Sequence, residues 1–297
     1  MKKINSILLL AVLTMACTDK PTRIMVSLDS NQLINNKKET SVDALASKIS
    51  EAVQEKGFKI IADVNHAAAA AKVDLELRPT RTLIFGNPQG GTKLMQQDQA
   101  IGLDLPLKIL IWEDEEGKAN LSHYDGATLT GRYGVTEPQA VIQKVNGALG
   151  GFTGTPEEIK VPVTENIKSE LISKKSAHSA DSTFSKLKEI VASKGLTIMA
   201  EVPHDKAAAS VGLELRPTRL LIFGNPKVGT LLMQSDQKIG IDLPLKILVH
   251  ENAEGEVYVS YFDASFLTSR YKIEDKAEIV AKVNGALNGI TDAVIAE

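Results

Sequence analysis

A 36-residue block that occurs twice constrains this chain more than any other feature. Leu75-Glu-Leu-Arg-Pro-Thr-Arg81 leads through Leu83-Ile-Phe-Gly-Asn-Pro88 and Gly91-Thr92 to Asp104-Leu-Pro-Leu-Lys-Ile-Leu110. The same order returns from Leu213 to Leu248, at a constant offset of 138 residues (75 to 213). The two blocks agree at 29 of 36 positions, whereas residues 111–149 and 249–287 agree at only 15 of 39. A duplication diverging evenly would not leave so uneven a pattern, so the middle block answers to an added constraint. Packing accounts for Leu83, Ile84, Phe85, Leu105 and Ile109. It does not account for nine polar side chains present in both copies: Glu76, Arg78, Arg81, Asn87, Gln96, Asp98, Gln99, Asp104 and Lys108.

Each copy has enough residues for one domain. With 297 residues, 43% of them hydrophobic, the chain suits two domains of ordinary size. A net charge of −3 provides no basic footprint, so no nucleic-acid partner is expected. The first residues read as a targeting segment: Lys2 and Lys3, an apolar run from Ile7 to Leu13, then Thr14-Met-Ala-Cys17. Ala16-Cys17 resembles a bacterial lipobox, although Thr14 stands where Leu is commoner. Cys17 is the one cysteine, so an intrachain disulfide is excluded and acylation of its thiol is the simplest use. The alternative is ordinary signal cleavage beside a stray cysteine. The expected divisions are a signal peptide at 1–16, a lipid-anchored tether at 17–29, domains at 30–150 and 167–297, and a Gly/Pro/Thr-rich linker at 151–166.

Periodicity places the elements within each copy. Leu33-Ile34 and Leu171-Ile172 are short strand candidates. Ser41 and Ser179 cap helices whose apolar spacing ends at Gly57 and Gly195. A strand follows from Phe58 to Val64 and from Leu196 to Val202, then a short alanine-rich helix after His66 and His204. Leu83–Phe85 and Leu221–Phe223 are short apolar runs bounded by Pro and Gly, as buried strands are. Gly-Asn-Pro is read as a turn, with a helix beginning at Thr92 or Thr230. Strands at Lys108–Trp112 and Lys246–His250 turn at Glu116-Gly117 and Glu254-Gly255, and Val257, Val259 and Tyr261 alternate on the return. Two helical segments close each copy, and the shared Arg132-Tyr133 and Arg270-Tyr271 are expected to pack the last of them.

The ordered string from Glu-Leu-Arg-Pro-Thr-Arg to Asp-Leu-Pro-Leu-Lys-Ile-Leu resembles the domain-of-unknown-function family 302 (DUF302) in both copies. The resemblance implies an α+β fold: two tandem copies of a curved antiparallel sheet with helices packed on it, TATA-binding-protein-like. It implies no activity. Single-copy relatives that self-associate would make the tandem chain a fused homodimer, with repeats meeting through equivalent faces.

Candidate ligand-binding residues are His66, Glu76, Arg78, Arg81, Asn87 and Thr92, matched by His204, Glu214, Arg216, Arg219, Asn225 and Thr230. The Gly-Asn-Pro-x-x-Gly-Thr stretch ahead of a helix presents N–H groups to an anion. Paired arginines suit bidentate carboxylate or phosphate recognition, or else an internal ion pair. His66 beside Glu76 is a candidate acid–base pair, or a histidine bonded to a backbone carbonyl. No nucleophile motif or metal-ligand spacing occurs, so neither a catalytic residue nor a metal or cofactor is assigned. Trp112 against His250, and Tyr124 against Phe262, differ between copies, and no catalytic group is expected there. The leading reading is a non-catalytic small-anion-binding or interaction module, lipid-anchored in the bacterial envelope at the periplasmic face of the outer membrane or the cell surface. The alternatives are a hydrolase-type enzyme using His, Glu and Arg on a small anionic substrate, and a structural envelope assembly protein.

Overall fold

The computed structural model describes residues 41–154 and 170–296. The signal segment, Cys17, the tether and the strand candidate Leu33-Ile34 lie outside the described residues, as does most of the linker. Ser41 caps α1 (Val42–Glu55), its hydroxyl accepting from the Ala44 amide. Then follow β1 (Lys59–Asn65), α2 (His66–Ala71), β2 (Thr80–Gly86), α3 (Pro88–Met95) and a 3-10 turn at Gln99–Leu103. The first copy ends with β3 (Leu107–Glu113), β4 (Ala119–Ser122), α4 (Gly126–Gly131) and α5 (Gln139–Thr153). The second copy runs β5 (Leu171–Ser176), α6 (Ala180–Ser193), β6 (Thr197–Pro203), α7 (His204–Ala209), β7 (Thr218–Gly224) and α8 (Pro226–Met233). It continues through a 3-10 turn at Gln237–Ile241 to β8 (Leu245–Glu251), β9 (Val257–Phe262), α9 (Ala264–Ser269) and α10 (Ala277–Ile295).

Each copy folds as an antiparallel sheet with helices against it, ordered β1-β2-β3-β4 in the first and β5-β9-β8-β7-β6 in the second. Side chains alternate between the faces of a strand, and that alternation divides β2. Leu83 and Phe85 join the core beneath α1 and α5, where Phe58, Phe85 and Phe152 meet edge to face. Thr80, Thr82 and Ile84 take the opposite face. That face meets the second copy: the core of the first is continuous with Val202, Leu220, Ile222 and Leu248. A strand apolar on both faces needs cover on both, and each repeat provides it for the other.

The contacts between copies are reciprocal. The Gln99 side-chain amide donates to Thr218 Oγ1 at 2.7 Å, and Gln237 donates to Thr80 Oγ1 at 2.6 Å. Gln96 donates to the Glu214 carbonyl, and Gln234 to the Glu76 carbonyl. Gly102 and Gly240 let the 3-10 turns approach the opposite sheet; a Cβ at Gly240 would stand 2.9 Å from Leu110. Five of the nine shared polar residues, Arg78, Gln96, Gln99, Asp104 and Lys108, thus lie at the seam between the repeats.

Three boundaries differ from the sequence reading. α3 and α8 begin at Pro88 and Pro226, not at Thr92 and Thr230. Asn87 and Asn225 are their N-caps, accepting from the amides of Gln89 and Lys227. Proline at the first helical position fits because its missing N–H needs no partner there. The Gly-Asn-Pro-x-x-Gly-Thr stretch is therefore helix rather than an open anion-cradling loop. Finally, α5 runs to Thr153, with Gly154 at φ 68° ending it, so part of the expected linker is helical and buries Phe152.

Candidate functional site

Lys108 and Lys246 occupy equivalent positions on β3 and β8, opposite Ile84 and Ile222 in register. Strand alternation turns both away from their own helices and toward the other repeat. Around them lie two carboxylates, Asp104 and Asp242, each following a 3-10 turn and each at most 3% exposed. Asp104 accepts at 3.0 Å from Arg132 Nη1, from the Tyr133 hydroxyl and from Lys246 Nζ of the other repeat. Asp242 accepts from Tyr271 at 2.6 Å and from Tyr124 of the first repeat at 2.9 Å, and it forms an ion pair with Arg270 at 3.1 Å. Arg132-Tyr133 and Arg270-Tyr271 thus hold the buried carboxylates, which corrects the expectation that they merely pack the closing helices.

One substitution between the copies breaks the symmetry. Tyr124 brings a hydroxyl to Asp242, while its counterpart Phe262 packs on Tyr133 and has none to offer Asp104. Lys246 takes up the free oxygen of Asp104. Lys108, 8% exposed, has no carboxylate or carbonyl partner for its Nζ, which instead meets Lys246. Burial, with the nearby Lys246 charge, pulls the Lys108 ammonium down to about 7, against Asp104 and Asp242. Burial acts on Lys246 too, but there Asp104 and Asp242 prevail and hold it above the ordinary lysine value. Burial opposes the charge of Asp104, yet Lys246, Arg132 and Lys108 hold it well below the usual carboxylate range.

A cavity of about 10 Å³ lies between the two lysines, room for one water-sized particle. Ile84, Leu105, Pro106 and Lys108 line it from one side, and their equivalents Ile222, Leu243, Pro244 and Lys246 from the other.

The residues singled out in the sequence occupy several separate places. His66 and His204, each 6% exposed, sit at the start of α2 and α7 at the seam. His66 Nε2 bonds Thr82 Oγ1, which itself donates to the Gly240 carbonyl. At the matching position Leu220 replaces Thr82, so His204 has no side-chain partner at Nε2 and lies against the Gly102 backbone instead. Burial lowers both histidines to about 4. Among the described residues no hydrogen bond or ion pair joins His66 to Glu76 or His204 to Glu214. Arg81 pairs with Asp43 and Asp63, and Arg219 with Asp181 and Asp205, all within their own repeats. Arg78 donates to the Glu113 carbonyl and to Gln237, and Arg216 to Glu251 and Gln99. Glu76 and Arg78 do border an open groove of about 550 Å³ against Met233, Gln234 and Gln237. Asn87 and Asn225 are caps, and Thr92 and Thr230 are buried in α3 and α8.

Asp104 and Lys108 belonged to the set of shared polar residues, and identity between the copies was the signal that could have marked them. Tyr124 could not be found that way, because it differs between the copies. Among the described residues no helix is long and apolar enough to cross a membrane.

The proteins named Fluoride-specific ion channel FluC 1 from Brucella suis biovar 1 (strain 1330) and Brucella abortus biovar 1 (strain 9-941) are each 35% identical over 121 residues. That match covers 41% of this chain and 48% and 45% of theirs, so the chain spans about half the length of the curated relatives it matches. The crystal structure of an uncharacterized conserved DUF302 protein from Bacillus stearothermophilus aligns at 17% identity and a TM-score of 0.39, over 42% of this chain and 98% of that one. The family model described as "Domain of unknown function DUF302" matches residues 34–151 and again residues 172–294. This chain belongs to the DUF302 family and contains its domain twice.

Proposed function

We propose that the protein is a non-catalytic small-anion-binding module of the bacterial envelope, its site lying between the two repeats at Lys108 and Lys246. The observation that carries the reading is uncompensated buried charge. Two carboxylates face four cationic groups, and each carboxylate is matched by an arginine. Lys246 shares Asp104, and Lys108 meets Lys246 but has no carboxylate of its own. A buried ammonium without a counter-charge is costly and either loses its proton or acquires an anion. The named relatives support an inorganic anion: they are called fluoride-specific channels, and the matched 121 residues are about one repeat in length. The enzyme alternative is weaker because so small a cavity admits no organic substrate, while the open groove at Glu76 and Arg78 brings no histidine or nucleophile with it. The reciprocal contacts favour reading the repeats as a fused homodimer, with the site on its pseudo-two-fold axis.

Thermal unfolding with sodium fluoride, chloride, formate and sulfate at constant ionic strength tests this reading. A bound anion should raise the midpoint at pH 6.5, by an amount set by its concentration over Kd. Lys108→Met should abolish that dependence, and equal responses of wild type and variant to every salt would end the proposal. Affinity should also depend on pH. Lys108 faces Lys246, Asp104 and Asp242, and it titrates near 7. Affinity should therefore be flat below about pH 7 and fall about tenfold per unit above it, as the cation disappears. A flat profile from pH 6 to 9 would exclude Lys108 as the anion's partner.

Attachment at Cys17 is the second part of the proposal. It rests on the Lys2-Lys3, apolar, Ala16-Cys17 order. Cys17→Ser should move the protein from the membrane fraction to the soluble fraction. Retention of that variant in the membrane would refute acylation there.

A further inference from the structure

The axis site can be characterised further, on the reading just given that it holds an anion. We infer that it takes one monoatomic anion of fluoride's size and excludes oxyanions.

Size is the first argument. A cavity of about 10 Å³ matches a single water, and fluoride is close to water in size. Chloride is larger, and formate, nitrate and sulfate need several times the room.

The donors are the second. Planar and tetrahedral oxyanions are best held by forked guanidinium donors. Here Arg132 and Arg270 are already engaged by Asp104 and Asp242. The remaining donors are point-like ammonium groups. Lys108 Nζ lies beside Lys246 and, when protonated, donates to no carboxylate or carbonyl, while Lys246 uses one N–H on Asp104. Converging ammonium groups suit a sphere of negative charge.

The third argument separates an anion from a water molecule. A water needs acceptors for its own two O–H bonds as well as donors to its oxygen. The side chains lining the cavity are Ile, Leu and Pro apart from the two lysines, so no side-chain acceptor lines it once both lysines are charged. A water there would leave its O–H bonds unmet by any side chain. A halide has none to satisfy, and it neutralises the excess charge as well.

Placement on the axis also predicts stoichiometry. Eight of the ten lining residues form four pairs related by the repeat offset, so the two repeats together make one site.

The test is isothermal titration of the full-length protein in detergent at pH 6.0 with sodium fluoride, chloride, formate and sulfate. One fluoride per chain is expected, with chloride at least tenfold weaker and no formate or sulfate binding. Lys108→Met and Lys246→Met should each weaken fluoride at least tenfold, while Lys175→Gln at a surface ion pair should not change it. Formate or sulfate binding as tightly as fluoride, or chloride equalling it, would overturn the size inference while leaving anion binding intact. Two fluorides per chain would overturn the shared axial site. If no anion binds at all, the functional reading itself fails, which is a different result.

Discussion

Asp104→Asn is expected to lower the unfolding free energy by about 3–5 kcal/mol, because it removes the counter-charge of two buried cations. Asp104 is 3% exposed and accepts from Arg132, Tyr133 and Lys246. Asparagine keeps the shape but leaves Arg132 and Lys246 charged in a low-dielectric seam, and its amide places donors where acceptors stood. Lys108→Met should act in the opposite direction. Lys108 Nζ gives up no bond to a carboxylate on removal, only its contact with Lys246, and methionine fills a similar volume. Replacing a buried ion by a hydrophobe is often neutral or stabilising by about 1–4 kcal/mol. Urea denaturation of both variants without added halide measures the pair. A loss under 1 kcal/mol for Asp104→Asn would mean the seam is wet and the charges screened. A large loss for Lys108→Met would show that Lys108 contributes an attraction the geometry does not contain.

A second large effect is expected on acidification. His66 and His204 are buried, and burial lowers both from 6.5 to about 4. Between those values the unfolded chain binds protons that the folded chain refuses, so stability rises with pH and is lost on acidification from about 6.5 towards 4. Each histidine contributes a slope of up to about 1.4 kcal/mol per pH unit, so the pair amounts to several kcal/mol across the window. Below about pH 4 this contribution is constant. His204→Leu should roughly halve the slope, and it gives up no side-chain hydrogen bond at Nε2. Denaturation midpoints at pH 7.0, 5.5 and 4.5 decide the matter. Equal slopes in wild type and the variant would show that His204 titrates normally and is solvated.

Much of each repeat was legible from local chemistry. Ser41 and Ser179 cap their helices as read, and Val257, Val259 and Tyr261 point into one core. The Asn-Pro start of α3 was legible in principle, but Gly90-Gly91 in its first turns weakened the helix signal. The candidate site was much less legible. His66 and Arg78 read as candidate ligand groups and Gln99 as a shared polar residue with no assigned role, yet His66 reaches the seam through Thr82, and Arg78 and Gln99 bond directly across it.

Comparing the two copies exposed the duplication and the polar residues that both retain, and the family resemblance implied the α+β class. Most of the strands and helices were legible from period, capping and turn chemistry, which act over a few residues. What the shared polar residues do is set by the packing of one repeat on the other. Lys246 lies 142 residues from Asp104, and Tyr124 lies 118 residues from Asp242. No local pattern encodes such pairs. They exist because each sheet must cover a face that is apolar on both sides, and the second copy is what covers it. Charge balance belongs to that packed seam alone, where Phe262 leaves an oxygen of Asp104 to Lys246 while Tyr124 occupies Asp242 and leaves Lys108 without a carboxylate.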